Sequence, residues 1–242
     1  MALIDLICHY GIQEKTLSLN AASTEDAKAY ADRLNLDALC FISSEAALDL
    51  DGGNANLHQW LASDARFRGW LRLSQHQMDT SMQLAHKYLT KPQWIGVAFA
   101  QRTDADAVNT DSGLELINAL RRFDCPVLLS VTSPHTLDAA IAVAKAINNI
   151  RFIISPQSAS LTSNALPAIK SLLNLSLLPS AQYVERDVIA EAVEAIGPRR
   201  VLWGSDWGIC NPTAAMGMIK DSAISAATRE RIAYSNAAAL LK

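Results

Sequence analysis

The chain of 242 residues carries a formal net charge of -3, from 21 Lys and Arg against 24 Asp and Glu, and half of it is apolar. That balance gives no broad basic field for nucleic acid and no dense Lys/Arg run for an anionic membrane surface, so both partner classes are excluded. No apolar stretch reaches the length of about 20 residues that a membrane-spanning helix needs. The opening Met1 to Asp5 lacks a basic region, and Asp5 interrupts it before an apolar stretch forms, so no signal peptide is expected. Cys8, Cys40, Cys125 and Cys210 lie far apart with no Cys-x-x-Cys spacing, the pattern of reduced thiols in a cytoplasmic protein.

Short apolar runs alternate with Ala-rich segments of helical period, the signature of βα units on a parallel sheet. In chain order the first strand is expected over Leu3 to Cys8, followed by a helix over Thr24 to Leu34 that starts at the capped, acidic Ser23-Thr24-Glu25-Asp26. The second strand is expected over Ala38 to Ile42. Asp49 to Ala65 then reads as a turn at Asp51-Gly52-Gly53-Asn54 and a short helix over Leu57 to Leu61, a lid or a connector. Further strands are expected over Gly69 to Leu73, Trp94 to Phe99, Pro126 to Val131, Arg151 to Ser155, Leu175 to Leu178 and Arg200 to Gly204. Between them, apolar residues at three- and four-residue spacing predict helices over Met82 to Leu89, Gly113 to Phe123, Thr136 to Ile147 and Asp187 to Ile196, the last stopped by Gly197-Pro198. Eight strands with intervening helices predict an α/β fold, a single (β/α)8 TIM barrel over residues 1–242, slightly distorted at most.

Several stretches carry a family likeness: Leu3-Ile4-Asp5-Leu6-Ile7-Cys8-His9 at the start, Ala65-Arg66-Phe67-Arg68-Gly69 before the third strand, and Gly96-Val97 in the fourth. Cys125-Pro126-Val127-Leu128-Leu129, Trp203-Gly204-Ser205-Asp206-Trp207 and the closing Asn236-Ala237 complete the set. In this order they resemble the amidohydrolase superfamily, in its amidohydrolase-related (amidohydrolase 2) branch of TIM-barrel hydrolases and decarboxylases. The resemblance implies a divalent metal, often zinc, at the C-terminal mouth of the barrel. Histidines from strands one, five and six and an aspartate from strand eight would hold it.

This chain departs from that pattern. Where an Asp-x-His-x-His strand is expected, Ile7 replaces the first histidine and only His9 remains. Period-two alternation would turn Asp5, Ile7 and His9 to one side. Ser130 and Ser155 stand where strands five and six would carry histidine, Ala98 or Phe99 stands at the polar position of strand four, and Asp206 is kept. A catalytic zinc takes three protein ligands, whereas His9 and Asp206 make two, so neither a metal nor another cofactor is expected.

The readings that follow are two. In one, His9 is a general base and Asp206 its orienting partner, and the barrel hydrolyses a small ester, lactone or carboxylated substrate without metal, with Arg72, Arg102 or Lys91 as carboxylate partners. In the other, the barrel is a non-catalytic pseudoenzyme that binds a small molecule or an active partner subunit. Tyr10, Ser130, Ser155, Trp203 and Trp207 are the candidate substrate contacts, with simple packing as the alternative for the aromatics. Asp5 reads either as support for the mouth or as a buried charge in a network. His135 reads as an exposed helix-start residue and Cys210 as an inert thiol. Barrels of this sort often pair through their helices, so the expected partners are a small-molecule ligand and a second copy of the chain.

Overall fold

Seven strands lie side by side in one parallel sheet, in the order in which they occur along the chain. The computed structural model describes residues 2–11, 23–183 and 187–241. The strands are β1 (Ile4–Tyr10), β2 (Ala38–Ser43), β3 (Phe67–Arg72), β4 (Trp94–Gln101), β5 (Val127–Val131), β6 (Phe152–Pro156) and β7 (Leu175–Leu177). They are apolar along nearly their whole length because both faces are covered, one by helices and one by the opposite wall of the curled sheet.

The sheet curls until β1 and β7 both meet residues 201–207. Val201 bridges Leu177 on one side, and Cys8 bridges Trp207 on the other. The expected eighth strand is therefore reduced to isolated bridges rather than a regular ladder, and the barrel is distorted at this seam. Inside it, Ile4, Leu6, Cys40, Trp70, Ala98, Leu128, Ile153 and Leu202 pack on one another. Outside it, a larger apolar layer separates the strands from helices α1 (Thr24–Leu34), α2 (Leu50–Leu61), α3 (Met78–Tyr88), α4 (Asp111–Ala119), α5 (Pro134–Ala146), α6 (Ala159–Ser171), α7 (Val188–Ile196) and α8 (Pro212–Lys220). No helix among the described residues is long and apolar enough to cross a membrane.

Local chemistry fixes the helix ends. Ser23 and Asp26 cap each other's backbone at the start of α1, and Ser133 caps α5 with Pro134 in its first turn. Gly197, at φ 79°, ends α7 in a conformation costly for any residue with a Cβ.

The segment from Asp49 to Ala65 corrects the sequence expectation. Asp51-Gly52-Gly53-Asn54 is not a turn but the first turns of α2, because the Asp49 side chain accepts from the Gly52 N–H and caps the helix. Gly53 is the small residue that lets this helix lie on the Ala46 backbone, which an added Cβ would approach to 2.1 Å. Asn54 is fully buried. Its Nδ2 donates to the carbonyls of Leu50 at 2.7 Å and Arg72 at 2.9 Å, and its Oδ1 accepts from the Arg72 N–H at 3.1 Å. One amide thus ties α2 to the C-terminal end of β3. Asn54→Leu leaves these backbone groups unpaired, and we expect urea denaturation to show a loss of about 2–3 kcal/mol.

Candidate functional site

β1 does not alternate evenly. Asp5 pairs with Leu39 and Cys8 with Phe41, so three steps on β1 match two on β2, which is a β-bulge. As a result Asp5 faces α1 while Ile7 and His9 line the cavity. The sequence expectation that Asp5, Ile7 and His9 share one side is corrected by that extra residue.

Asp5 instead holds the seam together. Its Oδ1 accepts from the Ser205 N–H at 2.8 Å and the Ile7 N–H at 3.4 Å, standing in for ladder bonds that the bulge interrupts. Its Oδ2 accepts from the Tyr30 hydroxyl at 2.8 Å and from the Ser205 hydroxyl. Burial pushes the Asp5 carboxyl above its ordinary range, and the hydrogen bonds from Ser205 and Tyr30 pull it back only in part. Tyr30 also stacks on Trp207, with ring centroids 5.5 Å apart.

The same seam positions Asp206, whose backbone sits in the left-handed region at φ 52°. Its N–H donates to the Ile7 carbonyl at 3.0 Å, and its carbonyl accepts from the N–H groups of Ile209 and Cys210. Its side chain then reaches across to His9, with Oδ1 3.1 Å from His9 Nε2. Oδ2 accepts from the Ser180 hydroxyl at 2.9 Å and the Ala181 N–H at 3.0 Å. The carboxylate is thus held from two sides in a buried position, whereas His9 keeps 14% of its side chain accessible. In a neutral imidazole so placed, Nε2 is the nitrogen that donates to the carboxylate and Nδ1 the one that keeps its lone pair.

His9 and Asp206 stand in a cavity of about 340 Å³ at the C-terminal ends of the strands. Ile7, Ile42, Ala100 and Ile209 give it apolar wall; Arg72, Arg102, Ser130 and Gln157 give it polar wall. Ser130 pairs with Ala100 on β4 and with Ser155 on β6, so these three stand at one level. On strand four the residue level with Ser130 is thus Ala100, since β4 continues to Gln101. Ala98 lies deeper in the barrel interior, and Phe99 faces the helices.

The other expected contacts are dispersed. Ser155 is 1% exposed, and its hydroxyl has no hydrogen-bond partner among the described residues. Trp203 is core, its indole N–H donating to the Ala215 carbonyl at 3.0 Å, and Trp207 is committed to Tyr30. Tyr10 packs on Trp60 with centroids 5.1 Å apart. None of these four lines the cavity. Lys91 lies before β4, beside His58 at 3.1 Å, while Arg72 and Arg102 do line the cavity. His135 is exposed in the first turn of α5, and burial raises the Cys210 thiol to about 11. Among the described residues, no three His, Cys, Asp or Glu side chains come together as a metal site would require. Sequence reading missed Ser180, Tyr30 and Asn54, which act on Asp206, Asp5 and Arg72 across 26, 25 and 18 residues but carry no motif.

Residues 45–242 match the family model described as Amidohydrolase. No curated protein sequence matches. Among solved structures, 2,6-dihydroxybenzoate decarboxylase from Rhizobium superposes with a TM-score of 0.80 at 14% identity, over 99% of this chain and 98% of that one. Amidohydrolase 2 from Bifidobacterium longum subsp. infantis gives 0.73 at 15% identity, over 99% and 98%. A proposed 2-pyrone-4,6-dicarboxylic acid hydrolase from Pseudomonas putida gives 0.72 at 16% identity, over 99% and 97%. At these identities the likeness is one of fold.

The raised carboxyl of Asp5 has a direction in pH. Its stabilising share is complete below the ordinary value of 3.8 and is lost as pH rises through the higher folded value, because the folded chain holds that proton longer than the unfolded one. Urea denaturation of Asp5→Asn beside the native chain should show their difference moving in the variant's favour as pH rises above 4, by up to about 1.4 kcal/mol per pH unit. A difference that stays constant with pH contradicts the assignment.

Proposed function

The chain belongs to the amidohydrolase family, and on that premise we propose that it is a metal-independent hydrolase of a small ester or lactone, with His9 as general base and Asp206 as its orienting partner. The observation that carries this reading is the 3.1 Å contact between His9 and Asp206 at the wall of the cavity. The family's divalent metal does not fit this donor set. One imidazole and one carboxylate face each other, Ile7 has no lone pair to give, and Ser130 offers a neutral hydroxyl. That fold neighbours include both a decarboxylase and a proposed dicarboxylic acid hydrolase is consistent with hydrolysis but does not select it.

The chemistry then runs on the residues present. His9 Nδ1 takes a proton from a water as its oxygen attacks the carbonyl carbon, and Asp206 stabilises the imidazolium that forms. The tetrahedral carbon expels its alkoxide, breaking the acyl C–O bond, and the proton on Nδ1 passes to that oxygen. An acid and an alcohol result, on one molecule if the substrate is a lactone. Ser130, whose hydroxyl makes no hydrogen bond to another described residue, stands at the cavity wall as a donor for the oxyanion.

A second reading, a barrel that binds a small molecule without turning it over, is favoured by the aliphatic wall of Ile7, Ile42, Ala100 and Ile209. An ester and lactone panel separates the two. Turnover should fall about 10²- to 10⁴-fold in kcat/KM in both His9→Ala and Asp206→Asn. Turnover unaffected by both substitutions rejects the assigned pair, and no turnover by the native chain on any member favours the binding barrel. Atomic emission on protein purified without chelator should show metal well below one ion per chain; stoichiometric zinc overturns the metal-independent reading.

A further inference from the structure

Gln157 follows β6 at the cavity wall, its backbone N–H donating to the Val131 carbonyl at 2.9 Å. Its side chain turns back along the strand. Nε2 donates to the Ser155 carbonyl at 3.4 Å, and Oε1 accepts from the Ser180 hydroxyl at 3.3 Å. A carbonyl can only accept, so the contact to Ser155 fixes which end of the amide faces β6. A primary amide carries two N–H donors, and the second one on Nε2 has no partner among the described residues.

The Ser180 hydroxyl that meets this amide also lies 2.9 Å from Asp206 Oδ2, and Asp206 Oδ1 meets His9. One serine therefore joins Gln157 to the dyad. On the other side, Ser155 is level with Ser130 across the β5 and β6 ladder. Ser130, Gln157, Ser180, Asp206 and His9 thus follow one another around the mouth, each on or just after the next segment of the closing sheet. Two further neutral groups of the cavity wall are already engaged. The Thr132 hydroxyl donates to the Gln101 carbonyl at 2.8 Å, and the Gln101 amide donates to the Thr136 carbonyl and accepts from the Val108 N–H.

We propose that Gln157 is a catalytic residue of the hydrolysis, the second oxyanion donor beside Ser130. As water adds to the ester or lactone carbonyl, the π electron pair moves onto the oxygen. The free N–H on Nε2 donates to that oxygen, and no proton leaves the amide. The pair returns to the carbon as the alkoxide departs. An uncharged donor gains little from the neutral ground state and most from the tetrahedral anion, so it acts on kcat rather than on KM. The catalytic role rests on the hydrolase reading; recognition of a tetrahedral oxygen centre is measured apart from turnover.

A trifluoromethyl ketone is hydrated in water to a tetrahedral diol and has no bond for a hydrolase to cleave. Titration calorimetry of the full chain should show 1,1,1-trifluoro-3-phenylpropan-2-one binding about 10²-fold more tightly than 1-phenylpropan-2-one, which stays a ketone. Gln157→Met should lower that ratio about tenfold and leave the affinity for the plain ketone within about twofold. On the ester that the native chain turns over fastest, Gln157→Met should lower kcat about 10²-fold with KM within about threefold. Equal affinity for the two ketones in the native chain, or binding of neither, overturns the assignment. So does a Gln157→Met chain that folds and keeps the native ratio, or one in which only KM changes. If Gln157→Met does not fold, Gln157→Glu, of equal length and without an N–H when ionised, is read at about pH 8 with the same two ketones, and a lowered ratio is again expected. Native kcat in Gln157→Met sinks the donor alone, whereas the ketone preference without turnover of any ester or lactone sinks the hydrolase reading alone.

Discussion

Closure of the sheet between β1 and residues 201–207 sets everything at the mouth. A ladder of backbone bonds would normally do this, but here a bulge in β1 removes the even register. The Asp5 carboxylate takes the N–H groups of Ile7 and Ser205 in its place. The cost is a buried carboxyl, softened by the hydroxyls of Tyr30 and Ser205. Gly204 belongs to the same constraint, since an added Cβ would come within 2.3 Å of the Ile7 side chain. With any larger residue there, β1 and the eighth segment could not approach closely enough for Asp206 to hydrogen-bond the Ile7 backbone.

From that seam the site follows mechanically. The left-handed turn at Asp206 presents its carboxylate to the cavity, and the bulge brings His9 into reach of it. Ser180 and Ala181, from the loop after β7, hold the far oxygen, so three separate stretches of chain fix one side chain. A carboxylate held this firmly orients an imidazole without itself needing to move, which is the arrangement a general base requires. On the β3 side, the α2 helix performs the corresponding service for Arg72 through Asn54.

Ser130 and Ser155, paired across β5 and β6, show why polarity here is divided. Ser130 opens onto the cavity while Ser155, at the same level on the next strand, is buried with its hydroxyl unpartnered among the described residues. Alternation alone puts both inside the barrel; only the curvature of the sheet and the bulk of neighbouring side chains separate a lining residue from a buried one.

Much of this was legible in the sequence. The alternation of apolar runs and helical segments determined the α/β barrel, the caps at Ser23 and Ser133 determined their helix starts, and Gly-Ser-Asp marked the closing segment. The likeness of the two chain ends brought His9 and Asp206 together, because strands one and eight of a closed barrel are neighbours whatever their separation in sequence. The side on which Asp5 falls, the depth of Ala98 against Ala100, the helical reading of Asp51 to Asn54, and the commitment of Trp203 and Trp207 to packing were decided only by the tertiary structure. Each depends on a register shift, a strand's final length or a partner far along the chain, and pattern along one strand carries no record of the neighbour that resets it.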